Sequence, residues 1–150
     1  MNLYADSSAL VKRYLTESGS TEVDALFNEE ETVGTALIAR AELAAALSKA
    51  VRIKALTQVD AHKSLQEFRS HWSSLTVIQV TETLIALADT LAWEHGLRSY
   101  DAVHLAAALT WQEAEGESVR VATFDRQLWQ AAQTVGLEVW PGTLENKPIV

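Results

Sequence analysis

The sequence predicts an α/β domain with a short central parallel sheet and helices on both faces. Short apolar or β-branched runs alternate with longer helical stretches along the whole chain. The first such run, Leu3-Tyr4-Ala5, passes directly into a helical stretch, as an open α/β sheet usually begins. A chain of 150 residues, 48% hydrophobic and carrying five Trp, is globular and of the size of one domain.

Taken in order, 3–5 reads as a buried strand and 9–15 as a helix, with Asp6 at the joint between them. Ser18-Gly19-Ser20 breaks the pattern. A second helix is expected over 21–30, with Val23, Leu26 and Phe27 inward and a polar tail of Asn28, Glu29, Glu30 and Glu31. Residues 32–35 form a short strand that Gly34 weakens. The stretch 36–52 is rich in Ala and Leu and helical by propensity. Residues 57–75 are amphipathic, with Leu65, Phe68, Trp72 and Leu75 on one face. A β-branched strand covers 76–80. The helix over 82–95 carries Leu84, Leu87 and Leu91 and stops at Gly96.

A further helix spans 99–115 and breaks at Gly116. Residues 119–123 are the clearest strand, followed by a helix over 126–135, closed by Gly136, and a last strand over 137–140. The domain is expected to occupy 1–142, and 143–150 is expected to be a short polar tail that frays. No internal repeat or low-complexity segment is present.

Composition narrows the function. With no cysteine there are neither disulfides nor thiolate metal sites, which suits a reducing cytosol. Asp6 interrupts any apolar run that could act as a leader, and no run is long enough for a membrane span, so a cytoplasmic location and no membrane partner are expected. A formal net charge of −8 argues against broad, basic-face binding of nucleic acid.

Of the twenty acids, most lie in polar company, and four do not. Asp6 is the only acid before Glu17, and Glu42 the only one between Glu31 and Asp60. Asp101 stands alone between Glu94 and Glu113, and Asp125 alone between Glu117 and Glu138. On a helix, Glu42 is flanked by Ile38, Ala39, Ala45 and Ala46 and has no ion-pair partner, so a buried carboxylate there needs compensation. Asp6 and Asp125 can each serve as a helix N-cap, and Asp101 can sit favourably near a helix start. Capping does not explain why Asp6 and Asp125 end strands at the same edge of a parallel sheet. Asp101 could face that edge too. Carboxylates brought together repel unless a cation joins them, and an all-oxygen set suits Mg²⁺ or Mn²⁺. Such ions activate water and stabilise phosphoryl displacement. Ser7 and Thr123 are secondary candidates that add hydroxyls.

On these residues the sequence resembles the PIN-domain family, specifically the VapC-type toxins of bacterial type II toxin–antitoxin pairs. Asp6-Ser7-Ser8-Ala9-Leu10-Val11-Lys12 looks like the opening motif and Ala41-Glu42-Leu43 like the second. Tyr100-Asp101-Ala102-Val103-His104-Leu105-Ala106 looks like the third and Thr123-Phe124-Asp125 like the fourth. The likeness covers nearly the whole chain and shows no departure in the four acids. It implies a PIN-like three-layer α/β/α fold and a metal-dependent endoribonuclease. Asp6, Glu42, Asp101 and Asp125 would then hold Mg²⁺ or Mn²⁺ and activate a water against an RNA phosphodiester. It further implies a homodimer silenced by a cognate antitoxin that docks in a hydrophobic groove near the first helices. His104, one turn beyond Asp101, could orient it, but reads better as a packed helix histidine.

An acidic protein meeting RNA needs local cations. Lys49, Arg52 and Lys54 form the densest basic run, and Arg40, Arg98 and Arg126 lie near candidate site residues. Helices containing Leu10, Leu26 and Leu65 carry more apolar residues than one small sheet needs, which also points to a dimer. Two other readings stay open: a non-catalytic PIN-like binding scaffold whose acids are caps, and a metal-dependent phosphohydrolase of another family. An aspartyl-nucleophile phosphohydrolase wants a second acid two residues after the first, where this chain has Ser8. A receiver domain wants an acidic pair beside the first strand, which is missing. No Gly-rich phosphate loop or dinucleotide fingerprint is present.

Overall fold

The computed structural model describes residues 1–30 and 32–144. Five strands form one sheet: β1 (Asn2–Ala5), β2 (Val33–Ala36), β3 (Thr76–Ile78), β4 (Val119–Ala122) and β5 (Glu138–Trp140). Their order is β3-β2-β1-β4-β5 and every pairing is parallel. The helices are α1 (Ser7–Leu10), α2 (Ser20–Glu29), α3 (Ala39–Arg52), α4 (Gln58–His71), α5 (Glu82–His95), α6 (Ser99–Glu115) and α7 (Arg126–Thr134). The expected α/β/α layering is borne out.

The two-residue period of a strand sorts the core into two halves. Leu3 and Ala5 of β1 pack with Ala9, Leu10, Val23, Phe27, Leu43 and Phe68. Tyr4 points the other way, into Leu84, Leu91, Leu105, Trp111, Val121 and Leu128. The second half is built around α6, which buries Ala102, Ala106, Ala107 and Ala108. Small side chains there let neighbouring helices approach closely.

Element boundaries depart from the sequence reading in a few places. The first helix begins at Ser7 because Asp6 caps it, and it tightens to a 3-10 turn over Val11–Arg13. The strand β2 runs on to Ala36, so α3 starts at Ala39. The helix α4 ends at His71 and gives way to a 3-10 turn at Trp72–Ser74. Gly34 is a requirement of the packing: a Cβ there would sit 2.7 Å from the Trp111 ring and 3.1 Å from the Thr76 carbonyl. The expected fraying of the tail falls largely on 145–150, and Glu31 closes the expected polar tail of α2; both lie outside the described residues.

Strand order fixes where a ligand can bind. From β1 the chain steps to β2 on one side, while β4 lies on the other, so the order reverses between β1 and β4. The crevice beyond the carboxyl ends of those two strands is where open α/β sheets bind ligands.

Candidate active site

Asp6 leaves the end of β1 into that crevice and is only 2% exposed. Its Oδ1 accepts from the Ala9 amide at 3.0 Å, capping α1, and from the Ser8 hydroxyl at 2.7 Å. Its Oδ2 accepts from the Thr123 hydroxyl at 2.6 Å. Burial pushes the Asp6 carboxyl above its ordinary value; the Thr123, Ser8 and Ala9 donors pull the other way without cancelling it.

Across the crevice, Thr123 and Asp125 follow β4. The Thr123 hydroxyl also accepts from the Asp125 amide at 3.0 Å, and Ser8 accepts from the Phe124 amide at 2.9 Å. These bonds tie the turn after β4 to the first turn of α1. Asp125 uses Oδ1 to cap α7 through the Leu128 amide at 2.9 Å, and its Oδ2 receives the Arg98 guanidinium. Asp101, in the first turn of α6, is 4% exposed and accepts from Arg98 Nε at 3.0 Å. Burial and then the Asp125 carboxylate raise the Asp101 carboxyl, with Asp6 adding to the push while Arg98 opposes it. Asp6, Asp101 and Asp125 therefore share one field.

Glu42 reaches the same edge from the first turn of α3. Its Oε2 accepts from the Ser7 hydroxyl at 3.0 Å, and its Oε1 lies 2.7 Å from His104 Nε2. A carboxylate only accepts, so Nε2 carries the hydrogen, and in the neutral ring Nδ1 accepts from the Tyr4 hydroxyl at 2.6 Å. Burial first, then Asp6 and Glu42, raise the Tyr4 phenol well above its ordinary value, so it stays protonated and able to donate. Tyr4, His104 and Glu42 thus form a chain from the core to the crevice. It supplies the compensation that Glu42 lacks on its own helix.

All six sequence candidates lie at this edge. Ser7 and Thr123 donate to carboxylates, so they orient Glu42 and Asp6. Three contributors were not legible as such. Ser8, inside the opening motif, turns back to Asp6, as a serine two residues after a helix-capping Asp commonly does. His104 is a partner of Glu42, reached from another helix, and not merely packing. Arg98 bridges Asp101 and Asp125. Of the other basic residues, Arg40 lies over the Trp72 ring and Arg126 donates to the Leu144 carbonyl.

Among the described residues, no three acidic or histidine side chains are drawn together as a ready-made metal cage. They are held pairwise instead, Asp101 with Asp125 by Arg98 and Glu42 by His104. The donor set nonetheless fits a hard divalent cation. It is all-oxygen, and the upward push on Asp101 by its acidic neighbours is the strain such a cation relieves.

The PIN domain family model matches residues 3–133, and the chain belongs to that family. The family is one of nucleases, and the chain is an enzyme of it. Among its relatives is Ribonuclease VapC45 of Mycobacterium tuberculosis (strain CDC 1551 / Oshkosh), 35% identical over 144 residues, covering 95% of this chain and 97% of that protein. Solved structures share the fold. VapC20 of Mycobacterium tuberculosis, described as a Sarcin-Ricin loop cleaving toxin, superposes with a TM-score of 0.64 at 15% identity, over 90% of this chain and 95% of that one. A chain of a toxin–antitoxin complex from Klebsiella pneumoniae superposes with a TM-score of 0.61 at 18% identity, over 83% and 87%.

Proposed function

We propose that this chain is a metal-dependent endoribonuclease, the toxin of a toxin–antitoxin pair. The observation that carries the reading is that Asp6 and Asp125 follow β1 and β4 at the point where the strand order reverses, while Asp101, at the start of α6, is tied to Asp125 through Arg98, with Asp125 and Asp6 both disfavouring its ionisation. Glu42 completes the set. These four would hold Mg²⁺ or Mn²⁺. When bound, such a cation supplies water activation and compensates the charge that builds in an in-line displacement at phosphorus.

The chain's own residues do the rest. Ser8, Thr123 and the Ala9 amide lock Asp6 in one rotamer, so the site's most buried carboxylate needs little reorganisation. Ser7 and His104 fix both oxygens of Glu42. Ordering the carboxylates before the ligand arrives lowers the cost of binding it. Among RNAs, single-stranded loops or particular shapes suit so acidic a protein better than long duplex.

Partners follow from surface chemistry. Leu10 and Leu26 are buried in this chain's own core, so they supply no surplus for a dimer. The exposed apolar surface lies elsewhere. Val51, Val59 and Leu65 line an open groove between α3 and α4, floored by the buried Leu47, and Val59 is 78% exposed there. We assign this groove to an apolar antitoxin segment, beside the one expected near the first helices, and Trp93 on α5, 89% exposed, to a homodimer contact. The non-catalytic scaffold reading gains nothing from the caps, because Asp6 and Asp125 each cap with Oδ1 alone and use Oδ2 for a side chain at the crevice, Thr123 and Arg98. Sequencing the RNA ends left after induced expression of the parent and of Asp6→Asn tests the function. New ends at defined positions, in the parent only, are expected. Identical end profiles would remove the ribonuclease reading.

A further inference from the structure

Arg98 stands apart from the other basic residues of this face. Its Nε and Nη2 donate to one oxygen of Asp101 and one of Asp125, both of them carboxylates assigned to the cation. Among the described residues the rest of the fork has no hydrogen-bond partner: the side chain is 54% exposed and lies over the exposed Tyr100 ring, 4.9 Å from its centroid. Other cations near the crevice are committed to groups outside it. Lys12 is bonded to Glu17 and to the Ser18 carbonyl, and Arg126 to the Leu144 carbonyl.

A guanidinium and a divalent cation cannot both take the same oxygens of Asp101 and Asp125, since they repel one another at that range. Arg98 is the partner able to leave. It sits at the residue before α6, makes no side-chain capping bond to the helix, and already leans on an aromatic face at the surface. A released guanidinium there is a planar fork suited to phosphate oxygens. In a protein of net charge −8, this places a cation at the mouth of the site only when the site can use it.

Resting on the metal-dependent reading of the site, we propose that Arg98 is its displaceable counter-ion. It holds Asp101 and Asp125 in the cation-free protein, yields them to the divalent cation, and then receives a backbone phosphate of the RNA. Metal loading and RNA binding are thereby coupled through one side chain.

Two readouts on the full-length chain test this without relying on turnover. Calorimetric titration with Mn²⁺ should give an affinity about tenfold tighter in Arg98→Ala than in the parent, a typical size for coupling between two ligands of one site. A residue that merely positioned the two carboxylates would do the opposite on removal and weaken Mn²⁺. In saturating Mn²⁺, a single-stranded 2′-O-methyl RNA oligonucleotide should bind Arg98→Ala more weakly. The slope of log affinity against log salt should fall in magnitude by about 0.7, the share of one phosphate contact. Arg98→Lys, which keeps the charge but not the two-oxygen fork, should retain the parent's salt slope. Where Arg98→Ala does not fold, Arg98→Lys carries the metal test, and tighter Mn²⁺ binding than in the parent is expected. Unchanged or weaker Mn²⁺ affinity overturns the proposal, as does RNA affinity indifferent to the loss of Arg98. If the parent itself takes up no Mn²⁺, the metal-dependent reading falls and this proposal with it. If the parent binds and the variant binds no tighter, only the role of Arg98 falls.

Discussion

Asp101→Asn separates a helix-start role from a site role, because the two disagree in sign. Asp101 is buried, and its carboxyl is raised by that burial and by Asp125 and Asp6 despite the Arg98 partner. Ionising it therefore costs the folded state more than the unfolded chain. The neutral isostere should leave the metal-free protein as stable as the parent or more so. Metal should act on the parent by binding the folded state alone. At a hundred times its dissociation constant, Mn²⁺ would contribute about 2.7 kcal/mol. For a domain of this size that raises the melting temperature by roughly 5–11 °C. Each tenfold loss of affinity in Asp101→Asn removes about 1.4 kcal/mol of that gain, or some 3–6 °C. Thermal melts of both proteins at neutral pH, in EDTA and then in Mn²⁺, read all four values. A lower metal-free melting temperature in Asp101→Asn with an undiminished Mn²⁺ response would show that Asp101 only stabilises a helix start.

Four further outcomes are expected. Asp125→Ala should lose about 0.5–2 kcal/mol through the α7 cap, whereas Asp125→Asn keeps a capping oxygen and should lose little stability but most Mn²⁺ response, both visible in denaturant melts. Gly34→Ala should cost about 1–3 kcal/mol, since the Trp111 ring and the Thr76 carbonyl leave no room for a Cβ; unchanged stability in urea would contradict the packing. Tyr4→Phe should cost about 1–3 kcal/mol by stranding His104 Nδ1, and cleavage should fall as Glu42 loosens. The raised carboxyls of Asp6 and Asp101 bind protons more readily folded than unfolded, so their contribution to stability falls as pH rises from 3.8 through the raised values. In EDTA, Asp101→Asn should therefore lose less stability than the parent between acid and neutral pH. Parallel pH profiles would count against a shared acidic field.

The sequence displayed the strands and helices because each carries its own period, and it displayed the four acids because each is isolated among apolar or small neighbours. Capping, which it posed as a rival to site chemistry, does not preclude it. A carboxylate has two oxygens, and Asp6 and Asp125 each spend one on a helix and the other on a side chain at the crevice, Thr123 and Arg98. The partners of those acids were harder to read because they arrive from other elements. His104 meets Glu42 across 62 positions, and Arg98 meets Asp125 across 27. No local pattern announces either pairing. The same holds for the apolar surplus of Leu10 and Leu26. Periodicity shows that a helix has an apolar face, but not whether the chain itself covers it.

Cleavage by the purified protein tests the central claim most directly. A loop-containing RNA is incubated with the parent and with Asp6→Asn, in Mn²⁺ and in excess EDTA, and the fragments are resolved at nucleotide resolution. The account predicts cuts at defined positions by the parent in Mn²⁺, none in EDTA, and a loss of orders of magnitude in Asp6→Asn while its fold is retained. Undiminished cleavage in EDTA, or by Asp6→Asn, would contradict it.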